Sequence, residues 1–573
     1  MGARPKAGRA NNKKPAAKAP AKRGEKAKPR PKPADKAKAP SRKGKTREGA
    51  LHSHVEKYQA ARVGGLSPDF ERRFGELQQT LAERWLTVHD WGSGPRDIVV
   101  VPSLSLDGFQ LDTIKGVIHY EERMLFTLGL LRHPEAHMVF VSSLPIHPAV
   151  IDYHMGLVGG IPSAHARARL TMLSTYDSTP LPLTQKILSR PRMMERIRQV
   201  IHPGRAHLTA FAVSDAEREL AVRLGIPLYG VDPKLLWLGT KSGSRSIFKE
   251  AGISLAPGEE NLHSQEEVAE AVSRVWEEHP TTRRVMVKLN DGFSGEGNAT
   301  LSLQELGHVK PKRSGGASHK ERAHAVGEAL ERLTFVSANE TWPRFLSALE
   351  RIGGVVEGYV EGRHKKSPSV QLRIDPKGDL EVMSSHDQQL AVDGQTYLGC
   401  IFPASEAYRL GIQKDALKVG AVLRERGVVG RVAVDFVTVE TEPGRWKHYA
   451  IEINLRMTGT THPFMLLKLA NDGDYDQKSG LYLTPSGEPR YYVSTDNLTS
   501  PAYVGLLPPD LLDIASKHKL HFEPGQATGA IFHLLGALSQ FGKLGMTCVG
   551  RTPSEAESWA ERVRSVLDAE TRG

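Results

Sequence analysis

Residues 430–461 read GRVAVDFVTVETEPGRWKHYAIEINLRMTGTT. Two runs rich in β-branched residues flank a turn at Pro443-Gly444, the composition of a β-hairpin. Strand alternation puts Val432, Val434 and Phe436 on one face and Asp435 on the other; on the partner strand Ile451, Ile453 and Leu455 alternate with Glu452 and Asn454. Glu452 and Asn454 therefore share a face, roughly 6–7 Å apart along the strand, and Asp435 is expected across from them. Facing carboxylates repel unless a cation sits between them. Two carboxylates and an amide form an all-oxygen set that suits Mg²⁺, which keeps waters and shares its remaining positions with substrate phosphates. The competing reading is a surface hairpin whose paired acids hold no metal. Arg456 follows directly and reaches the edge of the same face.

Upstream, residues 283–300 read RRVMVKLNDGFSGEGNAT. Val285 and Val287 alternate with Met286 and Lys288, a short strand that delivers the Lys288 ammonium to the mouth of a glycine-rich loop. Gly292, Gly295 and Gly297 permit positive φ, so several N–H groups can turn toward one point. A nest of donors beside a lysine suits a polyphosphate. Taken alone, the stretch reads equally well as a hairpin loop with a solvated lysine.

Lys288 with its loop, then Asp435, then Glu452-x-Asn454-x-Arg456 together resemble the ATP-grasp superfamily. That resemblance implies ATP held between two α+β subdomains and a carboxylate joined to an amine through an acylphosphate. It also implies roles for further residues. In LLWLGTKSGSRSIFKEAGISLAPG (235–258), Lys241 matches the family's earlier lysine, which with Lys288 holds the α and β phosphates. In VVEGYVEG (355–362), Glu357 and the backbone around Tyr359 and Val360 match the linker that faces adenine, and Glu361 would reach the ribose; the RHKKSPS that follows departs from the usual spacing. VPSLSLDGFQL (101–111), SSHDQQL (384–390), GCIFPA (399–404) and TGAIFHLLGALSQFGKLGMTCVG (528–550) narrow the resemblance to peptide ligases of the pheganomycin type. There a pre-ATP-grasp domain precedes the grasp and a small C-terminal domain follows it.

The rest of the chain fits an α/β and α+β protein of that order: a basic tail over 1–50, a Rossmann-like pre-ATP-grasp domain over 51–235, a two-subdomain ATP-grasp fold over 236–485 and a small α/β appendage over 486–573. A helix capped near Ser67-Pro68 is followed by strands alternating with helices: a strand at DIVVV, a helix from about Thr113 to His133, and strands at Met138–Ser143 and His207–Val213. This pattern predicts a parallel sheet. Its first turn lacks GxGxxG, so no dinucleotide is assigned; it serves as structural support or as half of a substrate cleft. A last helix, SEAESWAERVRSVLDAE, is expected to be capped by Ser554.

Net charge is +12, yet residues 1–48 alone hold eighteen Lys and Arg against Glu25, Asp35 and Glu48, so the remainder is slightly acidic. A Lys/Ala/Pro/Arg tail with almost no large apolar residue is expected to be disordered, and either contacts nucleic acid or another polyanion or is a solvated tail with no partner. No apolar run is long enough for a membrane helix, and a cytoplasmic protein is expected. Cys400 and Cys548 stand far apart and suggest neither a disulfide framework nor a zinc site. GTKSG at Gly239 lacks the P-loop order. Of the histidines only His386, beside Asp387 and Gln388, is as readily placed to face the phosphates, if the ATP-grasp resemblance holds, as to pack.

The expected activity is an ADP-forming carbon–nitrogen ligase using ATP and Mg²⁺, with a small-molecule or peptide carboxylate and an amine as substrates. Lys288 and Arg456 are its catalytic groups, Arg456 for the oxyanion of the tetrahedral species. Three alternatives stand beside it: an ATP-grasp kinase, a nucleic-acid-associated protein working through its tail, and a non-catalytic ATP-binding scaffold. Composition leaves the oligomeric state open.

Overall fold

Short apolar runs between Arg96 and Tyr229 form a parallel sheet of five strands: β1 (Arg96–Val101), β2 (Ala136–Ser142), β3 (Leu170–Ser174), β4 (Ala206–Ala210) and β5 (Leu228–Tyr229), in the order β3-β2-β1-β4-β5. The structure, a computed structural model, describes residues 67–86, 94–105, 111, 114–292, 297–311, 316–337, 339–391 and 397–571. Ile98 to Val101 are fully buried, as in parallel sheets covered on both faces. The helix Pro68–Gln79 begins where the sequence indicates, with Ser67 Oγ accepting from Phe70 N at 3.3 Å. The helix expected over 113–133 is present as a long 3₁₀ helix, Val117–Arg132. The expected tail lies outside the described residues, as does most of the first turn.

The next sheet is antiparallel. Strands β6 (Gly258–Leu262), β7 (Arg284–Leu289), β8 (Asn298–Ser302), β9 (Thr334–Phe335) and β10 (Gly354–Gly358) run in the order β6-β10-β7-β8-β9. The helices Gln265–Glu278 and Trp342–Ile352 bury Val268, Val272, Trp276 and Phe345 with Val285 and Val287 of β7.

A third, larger sheet holds β11 (Lys365–Lys366), β12 (Pro368–Ile374), β13 (Leu380–Leu390), β14 (Tyr397–Phe402), β15 (Gly430–Glu442) and β16 (Arg445–Asn454). It continues through β17 (Asp474–Asp476), β18 (Leu481–Leu483), β19 (Pro489–Thr499), β20 (Gly529–His533) and β21 (Lys543–Gly550). The 430–461 hairpin is thus β15–β16, with Val432, Val434, Phe436 and Ile453 in the core.

The C-terminal segment does not form a sheet of its own. β19 pairs with both β14 and β21, and β21 with β20, so ladder hydrogen bonds run from the second grasp sheet into the last strands. Residues Ser67–Gly573 form one compact unit. The last helix, Pro553–Glu570, is capped by Thr552, whose side chain accepts from Glu555 N at 3.1 Å; Ser554 lies inside the helix. Pro553 takes the first helical position, where a missing N–H costs nothing, and so fixes the cap one residue before itself. Cys400 and Cys548 are free, buried thiols that burial pushes up to about 12, consistent with inert core residues. Among the described residues no helix is long and apolar enough to cross a membrane.

Candidate active site

Strand register brings the acidic pair together. Asp435 on β15 lies opposite Glu452 on β16, and Asn454 lies opposite Ala433 two positions on, so all three project from one face. Asp435 Oδ2 accepts from Asn454 Nδ2 at 2.9 Å and Oδ1 from Gln388 Nε2 at 3.0 Å. Arg456 donates to Asn454 Oδ1. Burial, and then the Glu452 charge, push the Asp435 carboxyl up to about 6. Burial would raise Glu452 as well, but the Lys241 ammonium outweighs it and holds that carboxyl below its ordinary value.

These groups fit a divalent cation. Two carboxylates face each other across one strand pair, the Asp435 charge is opposed by burial and by Glu452, and every donor is oxygen once the Asn454 amide turns its Oδ1 toward Asp435.

Lys241 opens the helix Lys241–Glu250, whose N-cap Thr240 accepts from Gly243 N at 3.0 Å. Ser244 Oγ accepts from Ile453 N at 3.0 Å, tying this helix to β16. Close approach requires Gly243: a Cβ there would lie 2.0 Å from the Trp237 carbonyl oxygen. The docking sets Lys241 Nζ against Glu452 Oε1 in an ion pair. Asn290, at the end of β7, receives the start of the same helix through Lys241 N at 3.1 Å and Ser242 N at 2.9 Å.

Lys288 projects from β7 to Glu357 Oε2 at 2.6 Å, and Arg245 Nη1 reaches Glu357 Oε1 at 2.7 Å. All three are buried. Two cations from separate elements thus engage the Glu357 carboxylate. Burial raises this carboxyl, and the Lys288 and Arg245 charges more than reverse that, leaving it below its ordinary value. The linker beyond it is held by charge as well. Glu361 pairs with Arg284 at 3.1 and 3.0 Å, and Arg284 and Lys365 flank the Tyr359 ring at 4.0 and 4.2 Å. Its polar ends are thus engaged by neighbouring cations. Val360 follows half-buried, just past β10.

In the glycine loop, Gly292 is exposed and Gly297 has φ +74°, with its carbonyl accepting from Leu289 N at 2.8 Å. Gly295 lies outside the described residues.

His386 is in register with Ser369 and, through it, with Asp435. Its ring is nevertheless fully buried, bonded to Tyr492 Oη at 2.6 Å and packed on Phe402. It is a core residue and does not face the phosphate position.

Sequence reasoning missed Gln388, Arg245 and Asn290 as parts of the site. A signal existed for Arg245, four residues from Lys241 on one helix face, and for Gln388 through the alternation of β13. Beyond Arg456, Met457 N donates to the Phe211 carbonyl at 3.1 Å, seating this strand end against the carboxyl end of β4. Near it His462, Asp496 and His533 cluster with ligand atoms within 4.8 Å, but Arg123 already supplies a cation to Asp496 at 3.3 Å.

A two-subdomain clasp with lysines on both halves and facing acids on the second defines the ATP-grasp class. Residues 235–478 match the family described as "IQCH-like, ATP-grasp", and residues 510–563 match "PGM1 C-terminal domain". The chain is 30% identical over 466 residues to L-propargylglycine--L-glutamate ligase of Streptantibioticus cattleyicolor, a match spanning 80% of this chain and 91% of that protein. The chain belongs to the ATP-grasp ligase family of that enzyme. It is also 24% identical over 451 residues to IQ motif-containing protein H of Danio rerio, spanning 72% of this chain and 42% of that one. Among solved structures, a biotin carboxylase from Campylobacter jejuni in a β,γ-ATP complex superimposes with a TM-score of 0.48 at 13% identity, over 83% of this chain and 95% of that chain.

Proposed function

We propose that this ligase joins the carboxylate of an amino acid or short peptide to an amine through an acylphosphate, releasing ADP. The observation that carries the proposal is the register pairing of Asp435 and Glu452 in one half-buried cluster with Asn454, Lys241 and Arg456. The name of the Streptantibioticus relative, a ligase of two amino acids, supports this substrate class.

In this reading Lys241, Lys288 and the N–H groups around Gly292 and Gly297 would hold the phosphates of ATP, while Asp435, Glu452 and Asn454 would hold Mg²⁺. Bound there, Mg²⁺ supplies positive charge to the phosphoryl oxygens. The two lysines are already desolvated and fixed by carboxylate partners, so they meet the phosphates without further reorganisation. The substrate carboxylate attacks the γ-phosphorus and the bond to the ADP oxygen breaks, the positioning and electrostatic problem common to phosphoryl transfer. The amine nitrogen then attacks the acyl carbon, its proton is lost, and phosphate leaves as the C–N bond forms. Arg456, with no proton to give up at neutral pH, stabilises the oxyanion of that step.

Mass spectrometry of the products formed from ATP, Mg²⁺ and a pool of amino acids and dipeptides tests the assignment. The expected result is a condensation product, lighter than its two components by one water, appearing with ADP. A phosphorylated substrate with no condensation product overturns it.

A further inference from the structure

The parallel-sheet domain carries a cavity that the ATP centre does not use. It has a volume of about 440 Å³ and lies outside the carboxyl ends of β1 and β2, lined by Pro102 and Leu104 after β1, Ser143 after β2, and residues 178–186 after β3. It lies at the carboxyl ends of the strands, the end at which open α/β sheets take ligands, on the β2 side of the β1/β4 switch point, and the volume falls in the range of small-molecule sites. Its walls are mainly apolar, including Val117, Ile118, Leu181 and, from the C-terminal segment, Phe541.

Besides Lys115, Ser178 and Thr179, a buried polar chain interrupts those walls. Lys186 Nζ donates to Ser143 Oγ at 2.9 Å and to the Asp177 carbonyl at 2.9 Å, two of the three bonds an ammonium can make. Ser143 Oγ passes a hydrogen bond to Glu121 Oε1 at 2.6 Å, and Ser143 N donates to Oε2 at 2.6 Å. Glu121, Ser143 and Lys186 are 8%, 1% and 2% exposed. No direct Glu121–Lys186 ion pair closes the chain: the serine hydroxyl separates the two charges. Burial pushes the Glu121 carboxyl up to about 7 despite the Ser143 bonds and the Lys186 charge, so its surroundings incompletely compensate its negative charge. Burial also lowers Lys186, with Glu121 and Asp177 opposing the shift.

A buried carboxylate and a buried ammonium one hydroxyl apart, in a pocket whose remaining lining is apolar apart from Lys115, Ser178 and Thr179, are the complement of a zwitterion with an apolar side chain. We propose that this cavity is a binding site for a free α-amino acid with an aliphatic or aromatic side chain, Lys186 taking its carboxylate and Glu121 its ammonium. A zwitterion adds no net charge to the buried pair, whereas a simple acid or amine leaves one unpaired charge in a dry site. The inference does not rest on the ligase reading; if both hold, the cavity is where one amino-acid substrate is selected.

Isothermal titration of the full chain, without ATP or Mg²⁺, with L-valine, L-leucine, L-methionine and L-phenylalanine tests it. At least one should bind saturably. Its decarboxylated amine and deaminated acid analogues should each bind at least about tenfold more weakly, the equivalent of one charge-assisted hydrogen bond. Lys186→Met and Glu121→Gln should weaken binding by a similar factor, and Gly75→Ala, on a helix that does not line the cavity, should leave it unchanged. Should the cavity variants fail to fold, hydrogen exchange in the wild-type chain replaces them: the bound amino acid should protect the amides of 178–186. Absence of saturable binding, equal binding of the analogues, or protection elsewhere overturns the proposal. Binding without any ADP formation overturns the ligase reading alone, and ligase activity without binding overturns this one alone.

Discussion

Glu452 answers at once to Asp435 across the strand pair and to the Lys241 ammonium. Replacing it by Gln removes a charge from the metal set and frees Lys241. The variant should fold normally and lose about 100-fold or more in rate of ADP formation; turnover near wild type contradicts the site. Glu357 has the opposite character, because it separates two buried cations, Lys288 and Arg245. Glu357→Gln removes the carboxylate they share, leaving Arg245 only its Glu260 partner at 3.2 Å, and should lower the unfolding free energy by about 3 kcal/mol, read from urea denaturation without nucleotide; an unchanged midpoint contradicts the triad. His386 supplies a pH signature. Burial pushes its pKa down to about 3 from the ordinary 6.5, so between those values the unfolded chain takes up a proton that the folded one refuses. Its stability contribution is whole above pH 6.5 and is lost as the pH falls toward 3. His386→Phe removes that dependence. Between pH 7 and pH 5 the variant's unfolding free energy should improve on wild type by about 2 kcal/mol; a gap that stays constant with pH contradicts the assignment.

The first turn of the helix Lys241–Glu250 packs so closely on the preceding 3₁₀ turn, Pro233–Gly239, that the Trp237 carbonyl leaves no room for a methyl group at Gly243. Gly243→Ala should push the helix away, break the Lys241–Glu452 pair and lower kcat/KM by about tenfold or more, with a loss of stability typical of overpacking, about 1–3 kcal/mol. Gly75→Ala is the control: it sits exposed on the helix Pro68–Gln79 with nothing within 4 Å of a new Cβ, and should gain about 0.5–1 kcal/mol. Equal behaviour of the two variants in an activity assay and a melt contradicts the close-packed docking. Elements of this kind were legible in the sequence where their signal is local. The β15–β16 hairpin announces itself by alternation around Pro443-Gly444, and with it the shared face of Asp435, Glu452 and Asn454. Arg245 was not legible as the partner of Glu357, because 112 residues separate them and no periodicity spans that distance. For the same reason the pairing of β19 with β21 was invisible, and the C-terminal segment read as a separate appendage when its strands extend the grasp sheet. Glu357 itself was matched by position to a linker, but which way its carboxylate turns depends on cations brought in by tertiary contacts.

Over the whole molecule, charge is divided unevenly: +12 in total, against eighteen Lys and Arg and three acids within residues 1–48. Deleting those residues should leave ligase kcat/KM within about twofold and abolish salt-sensitive binding to duplex DNA, since binding through phosphate neutralisation scales with the cations that supply it. Equal DNA binding by the full and shortened chains at low salt contradicts a polyanion role for the tail. The central claim, that this chain activates a carboxylate as an acylphosphate, is tested most directly by trapping that species with hydroxylamine. Purified protein given ATP, Mg²⁺, a panel of amino acids and dipeptides and hydroxylamine should yield a hydroxamate with one ADP per trapped acyl group. ADP with no hydroxamate across the panel, or AMP in place of ADP, contradicts it.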